Sequence, residues 1–200
     1  LKYNLQDELI QYDRKKAVEY AKYYALTPNI KEYPYYEDHD CANFVSQCIK
    51  AGGIKFRGNE WDDLDSWFSN TNKANELSRV SLTWRGARYF RRYWGNENGL
   101  GNNKAFKYIE IISSDVLDNF QDIYSFLKVG DVIQYGKKSN NYTPNHTQII
   151  INKTYNSSYN ISDLYMAQHS ANRIYISLYE YISNFKDKDR KIYLYKIIGD

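Results

Sequence analysis

The chain of 200 residues contains two cysteines, three histidines, one methionine and three prolines. Two cysteines cannot build a disulfide scaffold. Five Cys and His in all leave little for a structural zinc site, which takes four such ligands; no metal or cofactor is expected. No apolar run approaches the ~20 residues of a membrane helix, and the mean hydropathy is −0.74, so no transmembrane segment is expected. Net charge is small too: 27 Lys and Arg against 24 Asp and Glu give +3, which does not point to nucleic acid. The densest basic stretch, Arg85, Arg88, Arg91 and Arg92, recurs at helical spacing and reads as a solvated helix face, not a phosphate track. Ten Gly and three Pro form no linker and no repeat is visible. One domain over residues 1–200 is therefore expected, long enough to bury a core. The first residue is Leu1, which leaves room for a signal peptide or an upstream domain.

What the chain has in quantity is aromatic: 22 Tyr, 8 Phe and 4 Trp. Periodicity places a first helix over roughly Asp7 to Ala25, ended before Pro28. A second begins at Cys41, with Asp40 as N-cap and Gly52-Gly53 as its stop. Phe44, Val45, Cys48 and Ile49 form its buried stripe. Residues 57–80 read as irregular. Helices are expected over Ser81–Trp94 and Ser177–Phe185, helix or turns over Ser114–Leu127, and strands over Ala105–Ile111, Asp131–Tyr135, His146–Ile151, Leu164–His169 and Ile192–Ile198. Helices first and strands later predict an α+β fold with an antiparallel sheet.

Chemistry concentrates on the rare residues. Cys41 falls in the first turn of its helix, where unpaired amides and the dipole favour a thiolate. Cys48, seven residues on, lies about 10.5 Å further along the axis, so the two cannot pair while the helix is intact. Cys48 reads as core. His146 opens one expected strand and His169 closes the next. In antiparallel neighbours these ends lie side by side, so a Cys41–His146–His169 triad is expected, with Cys41 as nucleophile, His146 as base and His169 orienting it. His39, two residues before Cys41, reads as a bystander.

The segment from Asp40 through Cys48 (DCANFVSQC), followed by Gly52-Gly53, resembles the putative-amidase domain family of Gram-positive bacteria. So do Tyr12 to Ala21 (YDRKKAVEYA), Val129 to Tyr135 (VGDVIQY), and the settings of His146 and His169. That family is similar to the papain-like NlpC-type and CHAP cell-wall hydrolases. The resemblance implies a papain-like fold, with a nucleophile-bearing central helix packed on a C-terminal antiparallel sheet. It also implies the same three catalytic residues. Such relatives often place Asn, Asp or Glu third, so Asn172 stands as an alternative to His169. Oxyanion or substrate contacts are assigned to the Cys41 amide, to Tyr33 or Tyr36, and to Asp40.

The activity expected is hydrolysis of an amide in peptidoglycan through a thioacyl-enzyme, by a monomer in the bacterial wall or outside the cell. Two other classes remain open: a cysteine peptidase or acyltransferase acting on protein or lipid, and a non-catalytic wall-binding module whose aromatics stack on sugars.

Overall fold

The computed structural model describes residues 12–199. Helices α1 (Arg14–Tyr24), α2 (Cys41–Ala51), α3 (Leu82–Arg85) and α4 (Ala87–Trp94) precede the sheet. After them come β1 (Lys107–Ile112), α5 (Ser113–Asp118), α6 (Phe120–Phe126), β2 (Val132–Gly136), β3 (Pro144–Asn156), β4 (Ile161–Gln168), β5 (Arg173–Ser177), α7 (Leu178–Ser183) and β6 (Lys191–Lys196). The six strands form one antiparallel sheet in the order β1-β6-β2-β3-β4-β5. This is the α+β arrangement the pattern predicts.

Both sheet faces are covered, and strand alternation divides the apolar residues between them. Ile149, Ile151, Ala167, Tyr193 and Tyr195 join Phe44, Val45, Cys48 and Ile49 of α2 and the side chains of α1 and α4 in one core. Their strand neighbours Ile133, Ile150, Leu164, Met166, Ile192 and Leu194 pack on α5 to α7 in the other. Burial on both faces is why these strands read as near-continuous apolar runs.

Helix α2 is the centre of the first core: every residue from Cys41 to Ile49 is buried. Phe44, Val45 and Ile49 are fully enclosed, each contributing about 1.5–3 kcal/mol by area burial. Its buried polar groups are paired, as burial demands. Asn43 Nδ2 donates to Pro34 O (2.7 Å) and Asp40 Oδ1 (2.8 Å), and its Oδ1 accepts from Trp84 Nε1. Ser46 Oγ donates to Trp84 O, and Gln47 accepts from Tyr20 OH. Gly52 ends the helix against the chain before α1. A Cβ there would sit 2.3 Å from the Tyr12 ring.

Several element boundaries differ from expectation. Helix α1 starts at Arg14, because the Asp13 carboxylate caps the Lys16 amide; the expected turn from Asp7 to Gln11 lies outside the described residues. The helix over Ser81–Trp94 is two, broken where Gly86 is extended (φ −110°, ψ 125°). The segment over Ser114–Leu127 is likewise α5 and α6. The edge strand β5 was not expected. Its run is five residues long, and Tyr175 within it has φ 55°, a conformation β propensity does not favour. The four arginines are not simply a solvated face. Arg91 is buried and bonded to Tyr108 and Glu110, while Arg88 and Arg92 share Glu97.

Candidate active site

Cys41 is the first residue of α2 and is only 7 % exposed. Burial is the largest influence on its thiol and pushes the pKa above the ordinary 9.0. Hydrogen bonds from the amide and hydroxyl of Thr147 and the amide of Ala42 favour the thiolate, but together they do not outweigh burial and the neighbouring Asp40 charge. The depressed thiol pKa expected from the helix start is therefore corrected. A helix N-terminus lowers a thiol pKa by a modest amount, and desolvation acts against it with larger effect. The resting group is a neutral thiol held over Thr147, the residue that follows His146 on β3.

His146 is half-buried at the start of β3. Its Nε2 meets Gln168 Oε1 at 2.8 Å. The orientation of the Gln168 amide is set by its own Nε2, which donates to Ser170 O (3.1 Å) and Ala171 O (2.9 Å). Its Oε1 also accepts from Gln148 Nε2 at 2.7 Å, and Gln148 Oε1 in turn accepts from Tyr135 OH. An acceptor facing His146 Nε2 requires the proton on Nε2. Nδ1 is then the bare nitrogen, and among the described residues it has no hydrogen-bond partner. Burial pushes the ring pKa below 6.5, and the Gln168 bond offsets part of that. The ring is neutral at neutral pH, as a general base must be.

His169 is not behind that ring, and the expected triad is corrected on this point. The strands are antiparallel neighbours, with Ile149 opposite Ala167 and Ile150 opposite Met166. Alternation sends Met166 and Gln168 to the His146 face and Ala167 and His169 to the α2 face. There His169 is wholly buried, stacked on Phe44 at 4.0 Å, with Nδ1 on Asp40 Oδ2 (2.5 Å) and Nε2 on Tyr24 O (2.8 Å). It ties α1, α2 and β4 together. The side chain joined to His146 is that of Gln168, a residue no sequence motif singles out. Asn172 lies in the turn beyond it and is not joined to His146.

Asp40 precedes α2 as expected, but its carboxylate caps no helix amide. It accepts from Tyr36 N, Asn43 Nδ2 and His169. An anion so engaged is neither an oxyanion donor nor free for substrate, which corrects that assignment. Tyr36 is the residue that donates its backbone amide to that carboxylate. Its hydroxyl is buried without a hydrogen-bond partner, and burial raises its pKa to about 12. Tyr33 stacks on Trp84, and His39 is exposed.

The turn after β4 ties these parts together. Ser170 and Ala171 both have left-handed backbones (φ 61° and 60°), a conformation costing about 1–3 kcal/mol for non-glycine residues. It turns both carbonyls onto Gln168, while Ser170 Oγ accepts the Asp40 amide at 2.8 Å. The start of α2 is thereby fastened to the turn that fixes Gln168. A cleft of about 290 Å³ opens here, lined by His146, Gln168 and Tyr181 among others. The Tyr181 ring lies 6.4 Å from the His146 ring, and a thiolate at Cys41 would raise the pKa of its hydroxyl. Cys41 is not among the residues that line this cleft; its thiol meets Thr147, whose side chain and that of His146 point to opposite faces of β3. Among the described residues, no three His, Cys, Asp or Glu side chains converge as metal ligands. Likewise, no helix is long and apolar enough to cross a membrane.

A cysteine at a helix start, bonded to the residue that follows a strand-borne histidine with a fixed tautomer, supplies the residue types that acyl-transfer hydrolases use. Comparison with known proteins agrees at the level of family. Residues 11–195 match the family described as Putative amidase domain, and the chain belongs to it. It is 29% identical over 179 residues to the uncharacterized protein YjcM of Bacillus subtilis (strain 168), covering 86% of this chain and 34% of that protein. It is 31% identical over 144 residues to the uncharacterized protein YhbB of the same organism, covering 72% of this chain and 38% of that protein. The chain thus spans about a third of the length of the curated relatives it matches. No solved structure matches it. Family membership points to an amidase-type hydrolase.

Proposed function

We propose that the domain is a papain-like cysteine amidase acting on peptidoglycan, with Cys41 as nucleophile, His146 as base and Gln168 as the group that holds the base. The observation carrying this reading is the fixed tautomer. Gln168, pinned by two carbonyls, commits the proton to Nε2 and leaves Nδ1 to receive one. The residue after His146 holds the thiol.

In the reaction, the Cys41 thiol proton moves to His146 Nδ1 as sulfur attacks the amide carbonyl carbon. The C–S bond forms and the carbonyl electron pair moves to oxygen. The Cys41 amide, unpartnered within the first turn, and the Tyr36 hydroxyl donate to that oxyanion. The oxyanion collapses, the C–N bond breaks, and His146 returns the proton to the leaving amine. Water then gives a proton to His146 and attacks the thioester; C–S cleavage releases the acid, and His146 reprotonates sulfur. Because the resting thiol is neutral, proton transfer accompanies attack in place of a standing ion pair.

The test uses purified bacterial cell wall, with new amino groups counted and fragments identified by mass spectrometry. Wild type should release peptide, and Cys41→Ala and His146→Ala should not. Undiminished release by Cys41→Ala would refute the reading, and the fragment masses would show which amide is cut.

A further inference from the structure

The cleft beside His146 carries two cations that the proposed chemistry does not use. Lys137, just after β2, and Arg190, just before β6, line it together with Tyr135, His146, Gln168 and Tyr181, and among the described residues no Asp or Glu does. The Arg190 guanidinium lies over the Phe185 ring, 4.1 Å from its centroid. Its Nε is buried without a hydrogen-bond partner. Its ion pair is a single 3.7 Å contact to Asp187, whose side chain is 55% exposed. Lys137 is half-buried and has no ion-pair partner among the described residues, whereas neighbouring Lys138 pairs with Asp189.

A cleft lined by two cations and by no acidic side chain favours an anionic ligand. The planar arginine fork, stacked on a ring and countered only by a long contact to an exposed carboxylate, matches the two oxygens of a carboxylate. The Arg190 charge also reaches the Tyr181 hydroxyl, so the site adjoins the groups that would handle the reacting amide.

We propose that Arg190 and Lys137 form a subsite for a carboxylate, so that the domain selects acidic peptides over neutral ones. The proposal rests on the amidase reading for the bond that is cut, but not for binding itself.

The test measures binding to the Cys41→Ala protein, which does not consume its ligand. Isothermal titration compares acetyl-alanyl-glutamate with the same dipeptide amidated at both carboxyls. The acidic form should bind at least about tenfold more tightly. That preference should collapse in a double variant that adds Arg190→Gln, and shrink with added Lys137→Gln or with high salt. Equal binding of the two peptides, no binding of either below about 10 mM, or a preference that survives Arg190→Gln would overturn the proposal. If Arg190→Gln fails to fold, a preference undiminished by Lys137→Gln does so. Equal competition by acetyl-phosphoserine amide would overturn the assignment to carboxylate. A carboxylate preference without Cys41-dependent hydrolysis by the wild type would leave the subsite standing and refute the amidase. Hydrolysis without preference would do the reverse.

Discussion

Replacing Gln168 by Glu probes the bond on which the His146 assignment depends. In the native chain burial holds the ring pKa below 6.5. A carboxylate in place of an amide oxygen that lies 2.8 Å from Nε2 would attract an imidazolium by about 4 kcal/mol, taking an effective dielectric near 20 and ~4 Å between charge centres. Desolvation of the new carboxylate offsets part of that, leaving the His146 pKa raised by about 1–3 units, or about 1.4–4 kcal/mol. The substitution also removes the donors to Ser170 O and Ala171 O and sets oxygen against oxygen there, costing about 1–3 kcal/mol. Linkage then sets how the stability of each protein follows pH. In wild type the folded pKa is depressed, so the His146 contribution is present above the unfolded value and is lost as pH falls through the folded one. In the variant the carboxylate raises the folded pKa above that of wild type, so the ion-pair contribution is present below the wild-type folded value and is lost as pH rises through the variant's own. The variant should therefore be less stable than wild type above about pH 8, and the gap should narrow towards about pH 6. The assay is proton NMR of the ring C–H signals, simplified by a total of three histidines, together with thermal melts at each pH. A His146 midpoint unmoved to within about 0.3 unit, or a stability gap that widens on acidification, would refute the contact and the tautomer argued from it.

Other perturbations separate the remaining residues. Because burial raises the Cys41 pKa, alkylation by iodoacetamide near neutral pH should be slower than for a free cysteine peptide and should climb through pH 9; faster reaction at neutral pH would show a preformed thiolate. His169→Ala leaves the buried Asp40 charge without its closest partner and should cost about 3 kcal/mol. That cost should appear as a lower melting temperature with no change in the His146 NMR midpoint, and a shifted midpoint would return His169 to the base. If the Tyr36 hydroxyl donates to the oxyanion, Tyr36→Phe should lower kcat about a hundredfold with little change in KM, whereas an unchanged kcat would leave the Cys41 amide as the donor.

The helix that carries Cys41 was legible in the sequence because local signals agreed there. A cap residue, a three/four apolar stripe and a double glycine all mark the same eleven residues, and Phe44, Val45, Cys48 and Ile49 are buried as the stripe requires. Strands β2, β3, β4 and β6 were legible for a similar reason, since burial on both faces leaves runs of apolar side chains, whereas the edge strand β5 was not. What was not legible is which face each side chain meets. His169 stood out because histidines are scarce, yet the residue joined to His146 is its neighbour Gln168, and in a strand one position separates one face from the other. The signal was present in Leu164 and Met166, which share the parity of Gln168 and enter the second core, while Ala167 shares that of His169 and enters the first. Tyr181 and Arg190 gave no local signal at all. They reach the cleft from α7 and from the segment before β6, through contacts that only the folded chain creates. The adjacent histidine and glutamine thus divide one task between the two faces of β4. His169 anchors the start of α2 through Asp40, Gln168 anchors the ring of His146, and the Ser170 turn that follows is bonded to both.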